Sequence, residues 1–346
     1  MFQFDPNLRV ARDAPTGILF IDGKFKRTAG RPRSGYQAPV IVISGNTQRG
    51  ALLSDSTHEI LLSNPLIKVL TMLRTLLAQY GILNVTLQFR PQGLYVVEVA
   101  EKRNVSRGIL SLFFDARYVH HYFCQYPVNV QISRSKLAEA MNVMCNESHY
   151  VFMRLQPKAP ETPGETDVSL MSFEMRVHIN SESLNVFLKS EFPLPVVSET
   201  LALHLPPPDE YYPFEFRIAN NAFKSFIKDD NGDTIVIKKS ITTPMQIFHG
   251  RGSELHINIA DSSNIVYNHI DPQQMLHVSM PVHLAQTFAQ QGDASNHLRI
   301  AVHPTDPTVL SYYIENTQFK TQYRIGDDEK IIAAVVRLYI MPKESS

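Results

Sequence analysis

The sequence predicts an α+β fold built twice over, antiparallel sheets with two helices on one face followed by the same plan again. Three observations carry this expectation. Most segments between turns alternate apolar and polar residues with period two, as in LNVTLQF, VNVQIS and DTIVIKK. Only four segments show the 3.6-residue period of an amphipathic helix. A proline-rich stretch, FPLPVVSETLALHLPPPDEYYP, then divides the chain so that each side holds two of those helices and about eight strands.

Residues 1–55 form a Gly-, Pro- and Arg-rich extension, with eight Lys/Arg against four Asp/Glu. The remainder holds 25 against 29, so the formal net charge of zero hides a basic arm on a mildly acidic body. Residues 56–191 are expected to be the first domain. Its first helix has Asn64 as cap, Pro65 at the opening position, and Leu66, Val69, Leu70, Leu73, Leu76 and Leu77 on one face. Its second follows Ser133, with Leu137, Ala140, Met141 and Met144 on one face. QPKAPETPGETD (156–167) reads as an exposed loop. Residues 192–213 are a connector whose prolines forbid a helix and argue against a central strand. Its aliphatics, Val196, Val197, Leu201, Leu203 and Leu205, lay it along the body rather than out in solvent. Residues 214–346 are the second domain, with a third helix after Asn220 (Phe223, Phe226, Ile227 inward) and a fourth near Pro281 (Leu284, Phe288 inward).

The 346 residues are 44% hydrophobic, enough for a sizeable core. No run approaches eighteen apolar residues, and MFQFDPNLRVARDAP lacks a signal-peptide layout. Two cysteines, Cys124 and Cys145, make no disulfide framework and fit a reducing, intracellular compartment. Walker, G-x-G-x-x-G, G-x-S-x-G and H-E-x-x-H motifs are absent, so no enzyme, cofactor or metal is expected. DARYVHHYFCQY (115–126) is the one dense cluster of rings, histidines and a cysteine. In a strand His120 and His121 diverge, and His121 and Cys124 fall on opposite faces, so the segment reads as a strand rather than a metal site. The enzymatic reading left is a His with Asp or Glu assembled only in three dimensions.

KFKRTAGRPRSG (24–35) places Lys24, Lys26, Arg27, Arg31 and Arg33 around Gly30 and Pro32, a thin extended backbone bearing cations as in minor-groove arms. Ala29 stands where such arms carry another arginine, which leaves phosphate binding and a nuclear-import-type basic run as the two readings.

Three stretches resemble DNA sliding clamps of the proliferating cell nuclear antigen (PCNA) type. ILSLFFDARYVHHYFCQYPVNVQISRSKLAEAMNVM is similar to the clamp's strand, acidic turn, aromatic strand, strand and second helix. FEFRIANNAFKSFIKDDNGDTIVI resembles the opening of the second clamp domain. HLRIAVHPTDPTVLSYYIENTQFKTQYRIGDDEKIIAAVVRLYIMPK resembles the last hairpins and the Tyr-x-x-Pro-Lys tail. The resemblance covers roughly residues 56–343 and is closest to the clamp-like proteins of large nucleocytoplasmic DNA viruses, such as that of African swine fever virus.

The resemblance implies two sliding-clamp (processivity-fold) domains, sheets outside and helices inside. It implies a homotrimeric ring that encircles duplex DNA, sequence-independently, and tethers a DNA polymerase and other replication and repair proteins at viral replication sites. DNA would meet the helices through Lys68 and Arg74, Arg134 and Lys136, and Lys224 and Lys228, while the fourth helix offers only His283, Gln286 and Gln290. Partner peptides with aromatic anchors would dock between the connector (Leu203, Leu205, Pro207) and the tail (Tyr339, Met341, Pro342), although these apolar groups would equally pin the connector down. The ring would close edge to edge through 183–191 (Leu184, Val186, Leu188) and 253–261 of a neighbour (Leu255, Ile257, Ile259). The alternatives are a clamp-fold transcription or checkpoint factor and a strand-rich viral structural protein.

Overall fold

Each half of the chain runs strand, helix, five strands, helix, three strands. The computed structural model describes residues 18–21, 24–27, 55–63, 66–102, 106–141, 150–158, 170–178, 186–197, 212–228, 233–242, 245–249, 253–257, 265–270, 275–292, 295–316 and 331–341. In the arm, β1 (Ile18–Ile21) and β2 (Lys24–Arg27) pair as an antiparallel hairpin that forms its own sheet. The first half comprises β3 (His58–Leu62), α1 (Leu66–Gln79), β4 (Asn84–Arg90), β5 (Gly93–Lys102), β6 (Ser106–Asp115), β7 (His121–Cys124), β8 (Val128–Ser133), α2 (Arg134–Met141), β9 (Tyr150–Pro157), β10 (Leu170–His178) and β11 (Val186–Pro195). The second comprises β12 (Phe214–Ala219), α3 (Asn220–Phe226), β13 (Thr234–Lys239), β14 (Met245–His249), β15 (Ser253–Ile257), β16 (Ile265–Ile270), β17 (Leu276–Pro281), α4 (Val282–Ala289), β18 (His297–Val302), β19 (Thr308–Glu315) and β20 (Ile332–Ile340).

The duplication expected from the sequence is therefore present, with nine strands per half among the described residues rather than eight. Two strands escaped the alternation test. HEILL of β3 is buried along its whole length, and its two polar residues stand together ahead of three apolar ones, so no alternation survives. IVYNHI of β16 was the other. The strand expected around His120 is shorter: residues 116–120 form a turn and bend, and β7 begins at His121. β11 continues to Pro195, into the segment assigned to the connector. Pro193 and Pro195 are tolerated because β11 is an edge strand, where the missing N–H donors break no ladder on the open side.

Every strand pair is antiparallel, and the two halves interlock. The largest sheet has the order β16-β12-β18-β19-β20-β6-β5-β4-β8, so five strands of the second half join four of the first through the β20–β6 seam. The remaining strands form a five-stranded sheet, β11-β10-β9-β3-β7, and a four-stranded one, β15-β14-β13-β17. The four helices among the described residues cover one side of these sheets. α1 packs on β20 and α4 on β6, so each half lays a helix across the other half's seam strand. α1 also packs on α2 and on α4, and α4 on α3, which gives a continuous row α2–α1–α4–α3. Tyr80, at the end of α1, donates its hydroxyl to the Leu284 carbonyl of α4 at 3.0 Å.

The core lies between this row and the sheets. α1 buries Ile67 and Met72 as well as the stripe expected from its period, because neighbours flank it on both sides. The β4–β5 turn depends on Gly93: its φ is +148°, and a Cβ there would lie 1.9 Å from the Phe114 carbonyl oxygen.

Candidate functional site

The helix row carries most of the predicted cations. On α1 the outward residues Lys68, Thr71, Arg74 and Thr75 follow helical spacing, and the two threonine hydroxyls bond back to the carbonyls four residues earlier. Arg134 opens α2 and donates to the Leu77 carbonyl at 3.5 Å, which ties α2 to the end of α1. Lys136, two residues on, is exposed. On α3 the Asn220 side chain, with its amide nitrogen on Tyr312 Oη (2.7 Å), offers its oxygen to Lys224 Nζ at 3.2 Å. Lys228 follows, exposed. Glu139 is the single acid on these four helices, and α4 presents His283, Gln286 and Gln290. Among the described residues, the helices and their ends thus hold six cations against Glu139, and the exposed Asp233 lies 3.5 Å from His283 beside α4.

On the opposite face a second apolar cluster is separate from the core. Ile109, Tyr212, Ala301, Val309 and Tyr339 are buried there, with Val97 packed beside them. Tyr212, at the end of the connector, donates to the Pro307 carbonyl at 2.8 Å and meets His303 edge-on; burial pushes its phenol pKa up. Val99 and Met341, 39% and 37% exposed, form the rim. Of the predicted partner residues, Met341 is therefore on the rim and Tyr339, 2% exposed, in the floor. Outward residues of β20 and β6 pair directly across the seam, so the ring of Tyr339 fills the space over Ile109. Tyr212, Val99, Ile109 and Val309 went unnoticed in the sequence; only the position of Tyr212 at the end of the proline run hinted at a role.

Leu203, Leu205, Pro207 and Pro342 lie outside the described residues, as do Arg31, Arg33, Leu184 and Ile259. Lys24, Lys26, Arg27, Val186, Leu188, Leu255 and Ile257 are placed in β2, β11 and β15 by their backbone. β11 and β15 are end strands of their sheets, each paired on one side, with β10 and β14 respectively.

The aromatic–histidine segment is structural chemistry. His121 Nε2 and Glu59 Oε2 meet at 2.8 Å with both side chains almost wholly buried. His120 packs edge-on against Tyr150. Burial pushes the Cys124 thiol up to about 11, away from the thiolate a nucleophile or ligand needs. Among the described residues no three His, Cys, Asp or Glu side chains are grouped to hold a metal ion, and no helix is long and apolar enough to cross a membrane.

No family model and no curated protein matches the sequence. Solved structures do match the fold. Proliferating cellular nuclear antigen from Entamoeba histolytica superimposes with a TM-score of 0.56 at 12% identity, over 83% of this chain and 99% of that one. A PCNA2–PCNA3 complex from Sulfolobus tokodaii gives 0.55 at 13% identity, over 83% of this chain and 100% of the other. The fold is that of the sliding clamps. In this chain the helix row and the apolar cluster lie on opposite faces of the sheet that β20 and β6 share.

Proposed function

We propose that this chain is a DNA sliding clamp: a non-enzymatic processivity factor that closes as a homotrimer around duplex DNA and tethers a DNA polymerase and other replication and repair proteins. The observation that carries the reading is the division of strands. Within the chain, a five-strand set joins a four-strand set antiparallel through β20 and β6. The leftover sheets are the corresponding five- and four-strand sets of the other halves, and they end in β11 and β15, the counterparts of β20 and β6. Joining β11 of one copy to β15 of the next would repeat the internal seam between molecules. It would also satisfy two rows of backbone donors and acceptors. Such a contact is head-to-tail and generates a ring when the rotation closes.

The helix row would then line the channel. Six cations against Glu139 and the Asp233 beside α4 would give phosphate contacts without base-edge recognition, which permit sliding and confer no sequence preference. The basic arm adds a second source of phosphate affinity. Encirclement converts diffusional loss of a polymerase into recapture at high effective concentration. Partners would dock on the Met341 and Val99 rim over the Tyr339 floor. The resemblance to clamp-like proteins of large DNA viruses supports a place at viral DNA replication sites inside the infected cell, cytoplasmic or nuclear.

Light scattering of the purified chain across a dilution series tests the ring. The expected mass is three times 39.3 kDa, held on dilution. A persistent monomer would remove the self-closing clamp and favour a clamp-fold transcription or checkpoint factor.

A further inference from the structure

The five-stranded sheet is buried on both sides. Ile60, Leu62, Met153, Phe173 and Met175 point from one side into the core that α1 shares. The other side carries two cross-strand rows. Arg176, Phe152, Leu61 and His121 are successive partners on β10, β9, β3 and β7, and Glu174, Arg154, Glu59 and Phe123 form the row beside them. Apart from Arg176, none of these residues is more than 9% exposed. An antiparallel sheet face left to water keeps its side chains partly solvated, so rows this deep are covered. The helices lie on the opposite side, and Leu61, Phe123 and Phe152 belong neither to the core nor to the Tyr339 cluster. Glu59 is paired with His121, and Glu174 with Arg154 and Arg176. A segment lying over such pairs needs no charge of its own.

We propose that residues 36–54 are a strap laid across this outward face, with the Val40–Ile43 run over Leu61, Phe152 and Phe123. Asp55, the residue that follows, precedes β3, yet its carboxylate reaches Arg154 Nη1 at 3.0 Å, so the chain arrives at β3 from the outward side. Residues 36–48 contain no charged side chain, and Val40, Ile41, Val42 and Ile43 are four consecutive β-branched apolar residues that a solvated tail has no use for. Nineteen residues reach roughly 60 Å when extended, against about 20 Å across five strands. Other stretches fit the face less well. Residues 159–169 hold three acids and a single branched aliphatic, Val168, and residues 317–330 hold six charged side chains. Residues 198–211 leave from Val197, whose N–H donates to the Asn129 carbonyl of β8, in the other sheet. The strap divides the arm in two. Residues 36–54 belong to the fold of the first half, and the cations of 24–33 are tethered on the side of the sheet away from the helix row. The inference stands on the buried face and is independent of whether a ring forms.

Hydroxyl-radical footprinting of the intact protein, read residue by residue by mass spectrometry, tests the strap. Val40 to Ile43 are expected to label roughly fivefold less than in the urea-unfolded chain, as Phe152 does. Ile41→Asp with Val42→Asp puts a carboxylate on either face of an extended run, and a carboxylate without a partner resists burial. In that full-length variant Leu61, Phe123 and Phe152 should label several-fold more, while Phe173 and Met175 on the core side stay protected. Labelling of Val40 to Ile43 at the unfolded rate in the intact protein, with Phe152 protected, would overturn the strap. If that protection also fell on dilution, the cover would be a second copy of the chain. Protection of Phe152 that persists in the variant would likewise overturn it, by placing the segment elsewhere. Should the variant lose its core protection as well, the labelling of Val40 to Ile43 in the intact protein decides alone.

Discussion

His58 is buried beneath Phe89 and Tyr126, with Nε2 on the Tyr126 carbonyl at 2.6 Å and Nδ1 beside the Thr57 hydroxyl. Burial lowers its pKa below 6.5, opposed by the carbonyl contact. The sign follows directly. Below pH 6.5 the unfolded chain takes up a proton that folded His58 resists, so stability falls as pH drops through that value toward the folded pKa. His58→Gln is expected to flatten the decline in urea midpoint between about pH 7.5 and pH 5 relative to the unaltered protein. An unchanged decline would assign it to other groups.

At the scale of single elements, the five-stranded sheet carries a ladder of charges on the side away from the core. Glu59 on β3 stands opposite Arg154 on β9, which stands opposite Glu174 on β10. Arg154 reaches Glu174 and Asp55, Arg176 reaches Glu174 at 2.6 Å, and His121 reaches Glu59. Glu59, Arg154 and Glu174 are all buried. Glu174→Ala leaves two guanidiniums without their shared carboxylate and is expected to cost about 3 kcal/mol in chemical denaturation, because a buried charge loses its compensation. A loss below about 1 kcal/mol would mean that water reaches the ladder. Period made α1 to α4 legible in the sequence, since each shows a helical stripe to the sheets, and the cations of the helix row could be read from the same stripe's reverse side. This charge ladder could not be read, because Glu59 stands in a segment without alternation and Arg154 looks like a solvent-facing position of its strand. Nor could the apolar floor: Ile109, Val309 and Tyr339 are brought together across three strands by the β20–β6 seam, a pairing between residues more than two hundred apart.

At the scale of the whole molecule, the proposed clamp would have two separable sources of DNA affinity, the helix row and the basic arm. Lys68→Gln with Lys224→Gln is expected to lower the steepness of log K against log salt by up to roughly 2 per chain, at about 0.9 for each phosphate that no longer faces a cation. Deleting residues 1–50 should lower it further and independently, as measured by binding to a closed duplex circle. If the deletion removes the whole dependence and the lysine variants none, the helices do not face the DNA and the channel assignment falls. Should both contribute, the arm is a retention device added to a surface whose own attraction is weak enough to slide.

The interlocked five-plus-four arrangement has a mechanical meaning. A ring of three such chains would contain six like seams, of which only the three β20–β6 seams join halves of one covalent chain. Strands that part at a bridged seam remain leashed and find each other again at once, whereas strands that part between copies do not. If the proposed ring forms, its doors and its hinges would be made from the same joint, told apart only by a length of covalent chain, and it would admit DNA at one place without coming to pieces at another.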